Sequence, residues 1–295
     1  MKKRFEEAGI HPVSRYGQNF LTDLNLVNMI ADTAALGPQD VALEIGTGTG
    51  SLTAIIAAKA GHVITVEIDR NLHQLAKEEL ASLDNITFLQ QDALRNKNHF
   101  SDELLATIDN AMENLENAQL KLVANLPYNV ATPIISNLLT LEKHVPASMT
   151  ATIQKELGDR IVARPATSDF GSLSLWIQAQ CDAEIVRIMN PSVFWPQPKV
   201  HSAIVHMVTN HEKRSRISNL QNYHQFVRGI FLHRRKYLRS VLIKRFQQQL
   251  TRQNVDDMLN SMGLRGDCRA EQLAVPVMIE LCERLHQCIQ EKESL

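Results

Sequence analysis

Seven short apolar runs rich in β-branched residues, at 41–45, 62–68, 86–90, 121–126, 148–154, 184–189 and 203–208, occupy the first two thirds of the chain. Between them the period becomes helical, for example over 24–35, 51–60, 70–80 and 133–140. Strands alternating with helices predict an α/β sheet covered on both faces. After about Asn210 the β-rich runs stop, and "FVRGIFLHRRKYLRSVLIKRF" and "MIELCERLHQCI" carry a helical period to the end. Two domains are therefore expected, an α/β domain over 1–210 and a small all-α domain over 211–295, and a chain of 295 residues is long enough for both.

No run of 18 apolar residues occurs, and the basic start "MKKRFEEAGIHPVSRYGQNF" has no apolar segment behind it. A soluble, cytoplasmic, monomeric protein with no membrane partner is expected. Cys181, Cys268, Cys282 and Cys288 form no CxxC pair and lie too far apart for a zinc knuckle, so reduced thiols and no metal are expected.

The net charge of −1 argues by itself against a nucleic-acid binder, but its distribution argues the other way. From 213 to 255 there are eleven Lys and Arg and no Asp or Glu, including "HRRKYLR" at 233–239. From 99 to 120 the bias reverses, with Asp102, Glu103, Asp109, Glu113 and Glu116 on what reads as an inserted helix and loop. Arg228, Arg234, Arg235, Lys236 and Arg239 are the candidates for phosphate contacts, against the plainer reading of a solvated helix face.

In "LEIGTGTGSL" the glycines Gly46, Gly48 and Gly50 follow the first strand and precede a helix, where missing side chains let backbone approach a ligand. Ser51 stands where a GxGxxG/A fingerprint has its last small residue, which weakens a dehydrogenase reading and leaves it open. Glu67, 21 residues after Gly46 and next to Ile68 at the end of the second strand, is placed to accept both hydroxyls of a ribose. Asp92 of "QQDA", after the third strand, can accept from an adenine amine, although strand-end acids also serve as helix caps. The fourth strand breaks off into Asn125, Leu126, Pro127 and Tyr128, a stretch without thiol, imidazole or carboxylate.

"YGQNFL", "EIGTGTG", "VEID", "QQDA", "NLPYN", "NPSVFWPQPKVHSA" and "HRRKYLRSVL", in that order, resemble the ribosomal RNA adenine dimethyltransferases. The resemblance runs from about Val13 to Leu242 and implies the class I methyltransferase fold, a seven-strand Rossmann-like sheet with one antiparallel strand, and S-adenosylmethionine as cofactor. It implies as substrate two adjacent adenosines near the 3′ end of 16S rRNA in the assembling 30S subunit. Asn19 and Leu21 would line the cofactor pocket with Gly48 and Ile68, Gly46 would approach the methionine portion, Glu67 would hold the ribose and Asp92 the adenine amine. Asn125 would border cofactor and target. Thr47 departs from the family, which usually has proline or alanine there, and Trp195 is an unusually bulky neighbour of Phe194.

The resemblance also gives the neutral turn a chemistry. An adenine amine is a poor nucleophile, because its lone pair is delocalised into the ring. If the Asn125 side-chain oxygen and the Leu126 carbonyl accept its two hydrogens, the nitrogen turns toward the methyl donor and no general base is needed. Pro127 would hold that carbonyl in place. Tyr128 would stack on one face of the extruded base and Phe194 on the other. A non-catalytic RNA or DNA clamp, and methylation of large-subunit rRNA or DNA adenine, remain as alternatives.

Overall fold

The computed structural model describes residues 12–13 and 16–293; most of the basic N-terminal stretch lies outside them. The described chain opens with β1 (Phe20–Leu21) and α1 (Leu24–Thr33), which is capped by Asp23 accepting from the Asn25 N–H. Strand and helix then alternate through β2 (Asp40–Ile45), α2 (Ser51–Ala57), β3 (His62–Glu67), α3 (Arg70–Glu79) and β4 (Ile86–Gln90). A hairpin of β5 (Leu94–Asn96) and β6 (His99–Phe100) leads into α4 (Asp102–Glu113), which is the acidic insert. Ser101 caps that helix, and Asp102 and Glu103 sit in its first turn, where the helix dipole favours negative charge.

There follow β7 (Gln119–Asn125), α5 (Ala131–Leu138), β8 (Ser148–Gln154), α6 (Lys155–Ile161), α7 (Ser172–Gln178), β9 (Cys181–Met189), β10 (Phe194–Trp195) and β11 (Ser202–Thr209). The α5 helix starts two residues before Pro133 because a proline at its third position lacks an N–H that has no partner within the helix anyway. The remaining helices are α8 (His211–Ser215), α9 (Leu220–Phe231), α10 (Leu238–Arg245), α11 (Arg252–Ser261) and α12 (Val275–Glu293). Among the described residues no helix is long and apolar enough to cross a membrane.

The seven expected runs are the seven strands of one sheet, in the order β4-β3-β2-β7-β8-β11-β9. β2 runs parallel to β3 and β7, β3 to β4, and β7 to β8, while β11 is antiparallel to β8. All six residues of β2 are buried, as a central strand covered on both faces requires. From β2 the chain steps outward to β3 and β4 and then returns to the other side of β2 as β7. The strand order thus reverses between β2 and β7, and sheets of this kind bind ligands in the crevice at such a point. The glycine turn leaves the end of β2, and "NLPY" leaves the end of β7.

The chain divides into two compact units, one containing residues up to Gly158 together with Ala183–Thr209, the other Asp159–Asp182 and the chain from Asn210 onward. The helical unit takes in 159–182 as well as the chain from Asn210, whereas the sequence suggests a first domain over 1–210. The reason is α7. Its Trp176, 1% exposed, stacks on His224 of α9 at 4.4 Å between centroids and lies 6.4 Å from the ring of Tyr223. Burying that aromatic surface outweighs adjacency along the chain.

Candidate active site

A cleft of about 350 Å³ is lined by Asn19, Gly46, Glu67, Asp92, Asn125 and Leu126, among others. Gly46 and Gly48 have φ of +91° and +58°, the left-handed region that favours glycine. A Cβ on Gly46 would lie 3.4 Å from Pro127 Cδ, and one on Gly48 3.3 Å from the Phe20 ring. Glycine is what allows the β2 turn, the "NLPY" turn and β1 to close on one another.

The Glu67 carboxylate, 4% exposed, is held from two sides: Gly48 N–H donates to Oε2 and Asp69 N–H to Oε1, each at 2.9 Å. Burial pushes its pKa up, and these donors oppose the shift. Each oxygen keeps acceptor capacity for a further donor. Asp92 is exposed, and its Oδ1 accepts from Leu94 N–H at 2.9 Å, which leaves Oδ2 to the cleft. Ile68, 37% exposed, gives the lining an apolar surface, and Leu21 contributes from the core side.

The amide of Asn125 is oriented by its surroundings. Its Nδ2 donates to the Asn19 carbonyl at 2.8 Å, while Asn19 Nδ2 donates to the Gly17 carbonyl at 3.1 Å. Leu126 N–H is taken by the Thr152 carbonyl at 3.2 Å. Asn125 Oδ1 and the Leu126 carbonyl are left without a partner among the described residues. Among the described residues, the cleft lining contains no His, Lys or Cys.

Tyr128 and Phe194 are placed differently from Asn125. Tyr128 is half-buried, its hydroxyl 2.5 Å from Ser202 Oγ, and burial raises its pKa, which keeps the phenol neutral; it adjoins the lining residue Pro127 without lining the cleft. Phe194 departs from the expected stacking role. It is 3% exposed, pairs across β1–β10 with Leu21, and belongs to the core cluster of Leu21, Val27 and Ile30, so it backs the cleft wall. Trp195 stacks on Phe20 at 6.3 Å.

The sequence reading missed Glu44, which is 1% exposed and lines the cleft. Its Oε2 accepts from the hydroxyls of Thr53 and Thr65, each at 2.6 Å, and the Thr65 hydroxyl is 2.6 Å from that of Thr47. Burial pushes the Glu44 pKa up to about 8. The available signal was a carboxylate inside an apolar strand, a type seldom buried without partners. Gln18 and Gln91 were missed as well; both line the cleft, and each has a buried side-chain nitrogen with no partner among the described residues.

In the helical unit the basic segment carries less open charge than its composition suggests. Arg239 makes a two-pronged pair with Asp256 at 2.5 and 2.7 Å, and Arg234 pairs with Glu271 at 3.0 Å. Lys213 pairs with Asp182 at 2.5 Å. Arg228, Arg235 and Lys236 are exposed and have no ion pair among the described residues.

The family model described as "Ribosomal RNA adenine dimethylase" matches residues 12–287. The chain is 34% identical to "Ribosomal RNA small subunit methyltransferase A" of Clostridium acetobutylicum, covering 92% of this chain and 93% of the relative. With the protein of the same name from Alkaliphilus metalliredigens it shares 37% identity over 88% of this chain and 86% of the relative. A dimethyladenosine transferase from Plasmodium falciparum has the same fold, with a TM-score of 0.76 at 21% identity over 91% of this chain and 98% of that one. The 23S rRNA methyltransferase ErmE follows with a TM-score of 0.64 at 24% identity, over 91% and 100%. With a family match over nearly its whole described length and its strand-end residues gathered at one cleft, the chain belongs to the ribosomal RNA adenine dimethylase family.

Proposed function

We propose that this protein transfers methyl groups from S-adenosylmethionine to the exocyclic N6 amines of two adjacent adenosines near the 3′ end of 16S rRNA, giving dimethyladenosines as the small subunit assembles. The cleft fits the cofactor in kind. The Glu67 oxygens retain acceptor capacity for the two ribose hydroxyls, Asp92 Oδ2 suits an adenine amine, and the nitrogens of Gln18 and Gln91, without a partner among the described residues, suit acceptors that a ligand would bring. Bound there, S-adenosylmethionine supplies a methyl group that is already electrophilic on its sulfonium.

The chain's own residues then have a positioning task. Asn125 Oδ1 and the Leu126 carbonyl, two open acceptors on consecutive residues, match the two hydrogens of an adenine amine; this pairing is the observation that carries the reading. Accepting both hydrogens turns the nitrogen lone pair toward the methyl. The surplus proton becomes acidic once the nitrogen is methylated and leaves to water, so the described lining, without His, Lys or Cys, is sufficient. Tyr128, its hydroxyl fixed on Ser202, would offer a ring face to the extruded base. Orientation of this kind is worth roughly 7–11 kcal/mol at best.

The test is to incubate the protein with labelled cofactor and undermethylated small subunits and then map the label. Dimethyladenine at two adjacent positions near the 3′ end is expected. Label confined to large-subunit rRNA, or no transfer to any rRNA, would reject the reading.

A further inference from the structure

Leu232 is 77% exposed, the highest value among the exposed large apolar side chains described, and Tyr237 is 52% exposed. Single exposed apolar residues are ordinary. These two, however, leave the same short turn, 232–237, between α9 and α10, and they bracket Arg235 and Lys236, exposed cations without an ion pair among the described residues.

The turn is fixed in this form. Arg234 N–H donates to the Phe231 carbonyl at 3.3 Å and Lys236 N–H to the His233 carbonyl at 2.9 Å. The Arg234 guanidinium ties it to Glu271 and to the Ser168 carbonyl, both at 3.0 Å, and Leu238 N–H donates to the Cys268 carbonyl at 2.8 Å. On either side, Ile230 and Leu238 are fully buried. The exposure of Leu232 and Tyr237 therefore belongs to an anchored loop and not to a fraying helix end.

We propose that Leu232 and Tyr237 form a second nucleotide-contacting surface, which takes an unpaired base of the small-subunit rRNA while Arg235 and Lys236 meet the flanking phosphates. This rests on the rRNA reading above and deepens it. A phenol ring offers a stacking face to any base, an adjacent aliphatic tip can cover or wedge beside it, and unpaired cations follow the backbone. The cations favour RNA over an apolar protein groove, because a protein partner would have to match the pair of apolar tips and bring acids for both charges. A free base is required, since bases stacked within a duplex present no face to Tyr237. Because the turn is already ordered, little conformational freedom is lost on binding.

The experiment measures binding of the full chain to undermethylated small subunits, to a single-stranded oligoribonucleotide and to the same sequence as a duplex, across a salt series. Tyr237→Ala and Leu232→Ala are each expected to weaken single-strand and subunit binding roughly tenfold, with the salt slope unchanged because apolar contacts release no counterions. Tyr237→Phe should bind like the parent. The proposal is overturned if Tyr237→Ala binds RNA as the parent does, or if Tyr237→Phe loses as much as Tyr237→Ala. It is also overturned if the loss appears with subunits but not with oligonucleotide, which would assign the surface to a ribosomal protein. Absence of methyl transfer by the parent would count against the proposed reaction alone, since the binding arms do not depend on catalysis.

Discussion

In the cleft, Asn125 Nδ2 donates to the Asn19 carbonyl and Leu126 N–H to the Thr152 carbonyl, while Asn125 Oδ1 and the Leu126 carbonyl have no partner among the described residues. In the basic segment local ion pairs take up part of the charge. Arg234 and Arg239 are held by Glu271 and Asp256, whereas Arg228, Arg235 and Lys236 are among the exposed cations left for a ligand. Residue type states what a side chain can do, and the bonds already made decide what it still can do. Capacity left after local bonding is therefore the better guide to function in both regions.

The largest test of that rule is Asn125→Ala. It removes the open acceptor to which the proposed reaction assigns an amine hydrogen, so single-turnover methyl transfer should slow by about a hundredfold or more, with cofactor affinity changed only a few-fold. Monomethyladenine, with a single amine hydrogen, should accumulate further as the second transfer suffers more. A near-normal chemical step in this variant would break the cleft half of the comparison.

Next is Glu67→Gln. The two backbone N–H donors fix a carboxylate, and replacing one oxygen with NH₂ sets a donor against one of them while removing the charge that would strengthen bonds to the ribose hydroxyls of the proposed cofactor. Cofactor dissociation constants measured by calorimetry should rise roughly 10- to 100-fold, with the rate at saturating cofactor less affected. Unchanged affinity would show that Glu67 shapes only the turn.

Glu44 sharpens the contrast, as a carboxylate oxygen in the cleft wall that hydroxyls already occupy. In the unfolded chain it ionises near 4.5, whereas in the folded state burial moves its pKa to about 8. Between those values the folded state keeps a proton that the unfolded state has lost, so the contribution of Glu44 to stability falls as pH rises through this window and levels off above it. Glu44→Gln cannot titrate. Its stability relative to the parent should therefore increase from pH 5 to pH 8.5 by a few kcal/mol in denaturant unfolding, and parallel curves would show that Glu44 is ionised throughout.

The same rule accounts for what could be read in the sequence. The strand β8 was predicted over 148–154 and is found there, because seven residues are enough to show a period. The pairing of β1 with β10 involves two residues on each side and has no period to read. That pairing sets Phe194 opposite Leu21 and leaves it 3% exposed, where the family resemblance implies a stacking role for it. Glu67, Asp92 and Asn125 were legible as polar residues at strand ends, whereas Glu44 was hidden inside a strand. The pairing within the acid-free stretch of 213–255 could not be read from it, because Asp182, Asp256 and Glu271, which pair with its cations, lie outside it.

The smallest effect separates Arg235 from Arg239. Both lie in "HRRKYLR" and count equally in a sum of charges. Asp256 receives Arg239 through two bonds, and its carboxyl is held below the ordinary range by that guanidinium. Arg235 is exposed, with no such partner among the described residues. A cation that neutralises one phosphate contributes about 0.7–0.9 to the slope of log affinity against log salt. Arg235→Ala should therefore lower the salt slope of subunit binding by about that amount and leave the unfolding midpoint where it was. Arg239→Ala should leave the slope within error and lower the midpoint slightly, because α10 and α11 lose the pair that joins them. If Arg239→Ala reduces the slope as much as Arg235→Ala does, the pair opens when RNA binds, and bonds present in the unbound chain do not limit what this turn can offer.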